Sequence, residues 1–476
     1  MFAGTGGQQI ANFAIMLVLA RNLGPAAFGL VGIATVFIDI FSLIGRAGLT
    51  EVLIQNQNAS QQELSTGFWT SLCFGIFLGA ASFFGAPWLA RVFAEPGLDP
   101  VMKFLSISCV FNTLGTVHEA LLRRSFGFKA LALRNVTATI ASGAVAIVLA
   151  LNDFGAMSLV AQRIVATAWL VAALWFSVRW IPSFRFSMAV CRKQLRMGVA
   201  VAGSSLLGTG NQKIIDLLVG YFLGTTALGY LRIAWKGLDL LLNLCVVPAS
   251  SVIFTSLSHL QNDAAALARA YQRMVQMTAL LIYPVFLGAA VVAPELIALA
   301  FGPQWEPSVL LMQFLTLMAF FIPLAYYRNN ILLAAGRADQ VFFLSLVSFI
   351  VSLVVSLIAV QIGIEATALG NTIRVALVTP VTLAVIQKYT GAKAMDTIKG
   401  SFPPAVAAVG MVGCLMLVRA AGAMPSWPVF SIGINVLLGA AIYAAILFIF
   451  FRGCWQEAAR HVPGRFISFR RKGGKQ

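Results

Sequence analysis

Five basic side chains, Arg163, Lys213, Arg232, Lys236 and Arg374, stand inside long apolar stretches of the sequence. A charge at mid-bilayer costs about 2.5–3.5 kcal/mol on insertion scales and is rarely left facing lipid. Helical spacing gives these charges a direction. Arg232, Lys236, Asp239 and Asn243 recur at i, i+4, i+7 and i+11, one stripe on one face. Ser205, Thr209, Lys213, Asp216 and Gly220 form a second stripe, and Gln162–Arg163 and Asn371–Arg374 are shorter patches. Asn112, Thr116, Glu119 and Arg123 share a face too, with its charged end near one membrane boundary.

Two chemistries fit this set. Lys213 with Asp216 and Lys236 with Asp239 are spaced i, i+3, so each couple could be neutral and simply brace helices. Asp39 is the third acid. Five cations against three acids leave a surplus of positive charge, which is natural for a water-filled cavity that receives an anion. The acids Asp39, Asp216 and Asp239 would then serve as pairing groups or as proton- or sodium-coupling groups.

The elements that carry these residues follow from composition. Of 476 residues 59% are hydrophobic and 10% charged, with a mean hydropathy of +0.88. So few charges cannot cover a water-soluble surface of this length, and the chain reads as an all-α polytopic membrane protein. Fourteen runs are long enough to span: 5–21, 29–45, 68–88, 102–121, 135–152, 156–178, 197–222, 226–257, 275–300, 309–333, 340–361, 365–387, 403–421 and 428–451. Pro/Gly loops such as "RNLGPAAFG", "AEPGLDP" and "FGPQWEPS" separate them. The connections on one side, with the tail, hold 24 of the 33 Lys and Arg, and the other side holds 4. The positive-inside rule therefore places both termini in the cytoplasm. Counted inward from the outer ends at 1.5 Å per residue, the five buried cations form a layer roughly 9–15 Å deep.

An internal repeat divides the chain. "LGPAAFGLVGIA" (23–34) matches "LGTTALGYLRIA" (223–234) with six identities in twelve, and Asp39 against Asp239 continues the register. Six spans separate the copies, so both cross the membrane in the same sense, as parallel repeats do. The expected organisation is a six-helix lobe over 1–178, a basic cytoplasmic linker over 179–196 and a second six-helix lobe over 197–388. Two further spans occupy 403–451, and a basic tail 452–476 is expected to touch anionic lipid rather than nucleic acid.

Other chemistries find no residues. The six cysteines form no CxxC pair, and His118, His259 and His461 are far apart, so neither a metal site nor a disulfide is expected. No GxxxxGK[ST] phosphate loop, HExxH or Ser/His/Asp arrangement occurs. The sequence thus calls for no cofactor and no enzymatic activity. Met1 runs into the first span without a basic lead, so no cleavable signal peptide is expected.

"LARNLGPAAFGLVGIATVF" (19–37), "FLGTTALGYLRIAWK" (222–236), "FGPQWEPSVLLMQFL" (301–315) and "NNILLAAGRAD" (329–339) together resemble bacterial polysaccharide transporters. These are the lipid-linked oligosaccharide flippases of the multidrug/oligosaccharidyl-lipid/polysaccharide exporter superfamily. The resemblance implies two six-helix lobes in a V, plus two C-terminal helices, in the bacterial inner membrane. It implies that undecaprenyl-diphosphate-linked sugar units are carried outward for lipopolysaccharide, capsule or exopolysaccharide synthesis, with polymerase and chain-length machinery as partners. It also implies a cationic cavity, a role open to Arg163, Lys213, Arg232, Lys236 and Arg374. The missing basic lead departs from the family and points to a longer N-terminus. A multidrug antiporter of the same fold would be expected to have an acidic cavity instead, and a non-transporting scaffold of a synthase complex would need none.

The charge asymmetry makes a topological prediction. An outside-active reporter fused after Gly302 should be active and one fused after Gly391 silent. The opposite pattern would invert the orientation and, with it, the direction of any transport.

Overall fold

The computed structural model describes residues 2–56, 58–125, 127–245, 263–422 and 427–452. Residues 246–257 of the eighth apolar run and the basic tail after Arg452 lie outside them. Every regular element among the described residues is helical. In chain order these are α1 (Phe2–Asn22), α2 (Pro25–Arg46), α3 (Leu49–Gln55), α4 (Gln61–Val92), α5 (Leu98–Leu105), α6 (Ile107–Leu114) and α7 (Thr116–Arg124). They continue with α8 (Phe128–Leu151), α9 (Ala156–Ser177), α10 (Met188–Phe222), α11 (Gly224–Cys245) and α12 (Ala264–Ala300). After a 3₁₀ turn at Pro303–Trp305 come α13 (Ser308–Thr316), a second 3₁₀ turn (Leu317–Phe320), α14 (Ile322–Tyr326) and α15 (Arg328–Ala334). The last four are α16 (Ala338–Ile362), α17 (Ile364–Thr390), α18 (Ala394–Ala420) and α19 (Pro428–Phe450).

Among the described residues ten helical segments are long and apolar enough to cross a membrane. A bent pair over 307–320 and 322–334, kinked by 62°, would make an eleventh. Pro323 sits just past that break, where a residue without an N–H cannot continue the preceding helix. The described parts of the fourteen runs fall on helices, but α1, α10 and α11 are too polar to count among the ten. The reason is chemical. These are the helices that carry Gln8 and Asn12, Lys213 and Asp216, and Arg232, Lys236 and Asp239.

The chain divides into two compact units. The first comprises residues 1–234, 301–308 and 345–370, and the second 235–300, 309–344 and 371–476. In the second unit Tyr271, Tyr283 and Tyr327 are fully or nearly fully buried. Each hydroxyl finds an oxygen: Tyr271 donates to Leu324 O at 2.7 Å, Tyr283 to Phe320 O at 3.2 Å, and Tyr327 shares a 2.6 Å bond with Thr278. Arg419 pairs with Glu295 and donates to Val291 O at 2.6 Å, tying α18 to α12. Tyr443 Oη donates to Leu280 O at 3.1 Å and ties α19 to α12.

In the first unit the two copies of the repeat pack on each other, and the packing is reciprocal. A Cβ added at Gly29 would overlap the Thr225 carbonyl, and one added at Gly229 would overlap the Pro25 carbonyl. Residues 25 and 225 are themselves repeat equivalents. Contacts of the form i to j+200 and j to i+200 are those of a two-fold relation. Gly32 lies against Arg232, its own equivalent, as a residue near such an axis must. The loop "FGPQWEPS" closes this region. Trp305, fully buried, donates from Nε1 to Ala20 O at 2.9 Å, and Gln304 donates to the same oxygen at 2.7 Å. These bonds satisfy a carbonyl left over at the end of α1. Phe28 from the first copy and Tyr230 from the second both meet the Trp305 ring edge-on.

Because backbone meets backbone at positions 29 and 229, no side-chain rotamer can relieve an added Cβ. Gly29→Leu and Gly229→Leu should each destabilise by at least about 1–3 kcal/mol, the usual cost of overpacking. Melting temperature and membrane abundance should fall by similar amounts for both. A large loss for one variant and none for the other would show that the reciprocal packing does not bear on stability.

Candidate functional site

Three of the five buried cations meet two acids in the first unit. Arg163 of α9 pairs with Asp39 of α2, and Lys213 of α10 reaches the other oxygen of the same carboxylate at 3.4 Å. Arg232 of α11 pairs with Asp216 of α10 at 2.8 Å and donates to Gly32 O at 3.1 Å. The two carboxylates are 24% and 15% exposed, sheltered enough that bulk solvent does little to screen them.

This pairing differs from the i, i+3 couple open to Lys213 and Asp216. Gly32 is the reason. A Cβ there would stand 2.8 Å from Arg232 Nε, so its absence makes room for the Arg232 side chain against α2. From that place one Nη2 serves both Gly32 O and Asp216. Lys213 is left to α2, where Asp39 accepts it beside Arg163. The cluster holds three cations and two acids and therefore keeps one net positive charge.

Lys236, Asp239 and Arg374 lie in the second unit, so the structure does not bring all five cations into one described site. Lys236 and Asp239 are exposed on α11, and Asp239 O accepts from the Asn243 amide at 2.7 Å. Arg374 of α17 is half-buried. The polar face of the fourth run resolves into one bond within α7, Arg123 paired to Glu119 at 2.5 Å, and one to α2, Asn112 donating to Ser42 Oγ at 3.1 Å.

Beside the acid-paired arginines the first unit encloses a cavity of about 370 Å³. Arg163 and Arg232 both line it. Asp39, Asp216 and Lys213 are not among its lining residues. The rest of its polar wall comes from Gln8 and Asn12 of α1, Thr35 of α2, Asn135, Thr139 and Ser142 of α8, and Gln162 of α9. Phe28, Val31, Leu159 and Leu170 supply apolar patches. Arg163 and Arg232 each use Nη2 for their carboxylate. Among the described residues their Nη1 groups make no other hydrogen bond. A guanidinium held from one side in this way is fixed in place with donors to spare, which is how an anion is received at low entropic cost.

The charge pattern of the sequence points to Gln162 beside Arg163 but not to the rest of this uncharged wall. Gln8 with Asn12 at i, i+4, and Asn135, Thr139 and Ser142 at i, i+4 and i+7, carry the same spacing signal in apolar helices.

An all-helical polytopic bundle of this kind is a known fold. It superposes on the lipid II flippase MurJ in an inward closed conformation with a TM-score of 0.80, at 14% identity, over 95% of this chain and 98% of that one. The sequence profile described as "Polysaccharide biosynthesis protein" matches residues 18–310, and the chain belongs to that family. Lipopolysaccharide biosynthesis protein WzxC of Escherichia coli (strain K12) is 25% identical over 333 residues, 68% of this chain and 66% of WzxC. Succinoglycan biosynthesis transport protein ExoT of Rhizobium meliloti (strain 1021) is 24% identical over 294 residues, 62% of this chain and 60% of ExoT. The matched segments thus span 60–66% of the length of these two relatives. The resemblance read from the motifs is borne out, and the chain is a multi-pass protein of the bacterial inner membrane.

Asp39 holds two cations and Lys213 only one bond, so their removal should differ. Asp39→Asn should lower the melting temperature of detergent-purified protein clearly more than Lys213→Gln, since it leaves two like charges facing each other. In an Arg163→Gln background the Asp39→Asn cost should shrink, with a coupling of about 1–3 kcal/mol. Additive losses would mean that the Asp39–Arg163 pair contributes nothing to stability.

Proposed function

We propose that the protein is a flippase that carries undecaprenyl-diphosphate-linked oligosaccharide units from the cytoplasmic to the outer leaflet, by alternating access of two six-helix lobes within fourteen spans. One observation carries the reading: the cavity is lined by two arginines and no carboxylate among the described residues, because the acids that orient those arginines lie outside its lining. A diphosphate cannot enter hydrocarbon unaided. Two pre-oriented guanidiniums lower that penalty while the polyprenyl chain stays in lipid, and guanidinium geometry suits phosphate oxygens in pairs. Lys213 supports Asp39, while Lys236 and Arg374 remain anion-attracting groups of the second unit. An inside-negative potential favours outward movement of an anion by about 2.3 kcal/mol per charge per 100 mV. Both termini are taken as cytoplasmic, and polysaccharide polymerase and chain-length proteins as partners. The names of WzxC, ExoT and MurJ support the class of substrate. An antiporter of organic cations would place carboxylates where Arg163 and Arg232 stand.

The test pairs membrane abundance with lipid-linked glycan translocation in vesicles. Arg232→Gln alone strands Asp216, so the informative variant is the charge-balanced double Asp216→Asn, Arg232→Gln. It should keep near-normal abundance and lose translocation by at least about tenfold, or 1.4 kcal/mol. Arg232→Lys should retain part of the activity, since it keeps charge without the planar fork. Normal translocation by folded Arg163→Gln and by the folded double variant would end the anion-cavity reading.

A further inference from the structure

The arginines account for only part of the cavity, and the remaining polar wall has a chemistry of its own. Gln8 and Asn12 sit one turn apart on α1, Asn135 stands on α8, and Gln162 precedes Arg163 on α9. All four are carboxamides, each with two donors and an acceptor. Asn135 Oδ1 accepts from Arg134 Nε at 3.3 Å. Among the described residues the side chains of Gln8, Asn12 and Gln162 make no hydrogen bond. Helices that cross hydrocarbon satisfy their polar side chains internally or against something that fills a cavity. These three amides are half-exposed, and they open into the same space as Arg163 and Arg232.

A ligand that displaces water from such a wall without loss must donate and accept in turn. A phosphate oxygen offers acceptors only and leaves the amide oxygens unmet. An ammonium offers donors only, and among the described residues no carboxylate lines the cavity to attract it. Hydroxyl groups do both. A polyol whose hydroxyls lie around a compact ring can meet several carboxamides at once, and the adjacency of Gln162 to Arg163 puts that ring beside the anion position.

We propose that the carboxamide wall of α1, α8 and α9 is a saccharide subsite that reads the sugar attached directly to the diphosphate. This rests on the flippase reading above and extends it. The arginines hold the part common to all such lipids, and Gln8, Asn12 and Gln162 hold the part that differs between glycans. A wall built to hydrogen-bond a hydroxyl discriminates strongly, because an analogue that lacks or misplaces the hydroxyl leaves amides unpaired.

The experiment measures binding to the purified full-length protein of undecaprenyl diphosphate and of the same lipid carrying one glucose, galactose or N-acetylglucosamine. Wild type should bind at least one sugar-bearing probe about tenfold or more tighter than the bare diphosphate. Asn12→Leu and Gln162→Leu should erase that increment, leave the bare diphosphate within about twofold, and leave the melting temperature unchanged. Should Asn12→Leu fail to fold, Gln8→Met removes an amide of the same wall at similar length and carries the same expectation. No sugar-dependent increment in wild type, or an equal loss for bare and sugar-bearing probes in the variants, overturns the subsite and leaves the flippase reading standing. No binding of any probe to folded wild type overturns both.

Discussion

Two helices approach until backbone touches backbone at Gly29 and Gly229, and the architecture of the first unit follows from that approach. Any larger side chain at either position would hold α2 and α11 apart. The approach brings position 32 within reach of position 232, and the missing Cβ at Gly32 gives the Arg232 side chain its place. From there one guanidinium binds a carbonyl of the first copy and the carboxylate of Asp216. The loop over 301–308 then sets the Trp305 ring against the edges of Phe28 and Tyr230, which belong to opposite copies. Small residues that permit close helix approach are the general device where lipid offers no hydrophobic gain from association.

The charge cluster obeys a second constraint. A buried cation in a membrane-spanning unit needs a counter-charge, yet a cation neutralised face-on by a carboxylate cannot receive an anion. Arg163 and Arg232 resolve this by geometry. Each spends its Nη2 on an acid outside the cavity lining while the residue itself lines the cavity. Lys213, the third cation, gives the cluster its net charge from a place outside the lining. Preorganisation of this kind lowers the ordering cost of binding, because the long side chains are already fixed.

Much of this was legible in the sequence. Composition and the apolar runs placed the helices, and the offset of 200 between the repeats anticipated equivalent positions for Gly29 and Gly229. The stripe of Lys213 and Asp216 marked the right helix, but the partners were not readable, since an i, i+3 spacing says what could meet and not what does. The deciding residue was Gly32, which has no side chain and left no signal in a search for charges. The amides of α1 and α8 were missed for a related reason. An uncharged polar stripe shifts hydropathy only slightly, although in α1 it is enough that the helix is not apolar enough to count as a span.

The repeat also shows why symmetry alone cannot make the site. Near the two-fold relation each residue meets its own equivalent, so a symmetric pair of side chains at 32 and 232 would either clash or leave a void. Two arginines there would confront each other with like charge in a sheltered setting. Two glycines would leave a gap and no cation. Glycine in one copy and arginine in the other gives a filled contact, a carbonyl acceptor from the small residue and a single oriented charge from the large one. The repeat thus supplies the place, and the difference at one self-facing position supplies the single oriented charge. The same asymmetry holds at the next acidic pair, where Asp39 is half-buried under two cations while its equivalent Asp239 is exposed.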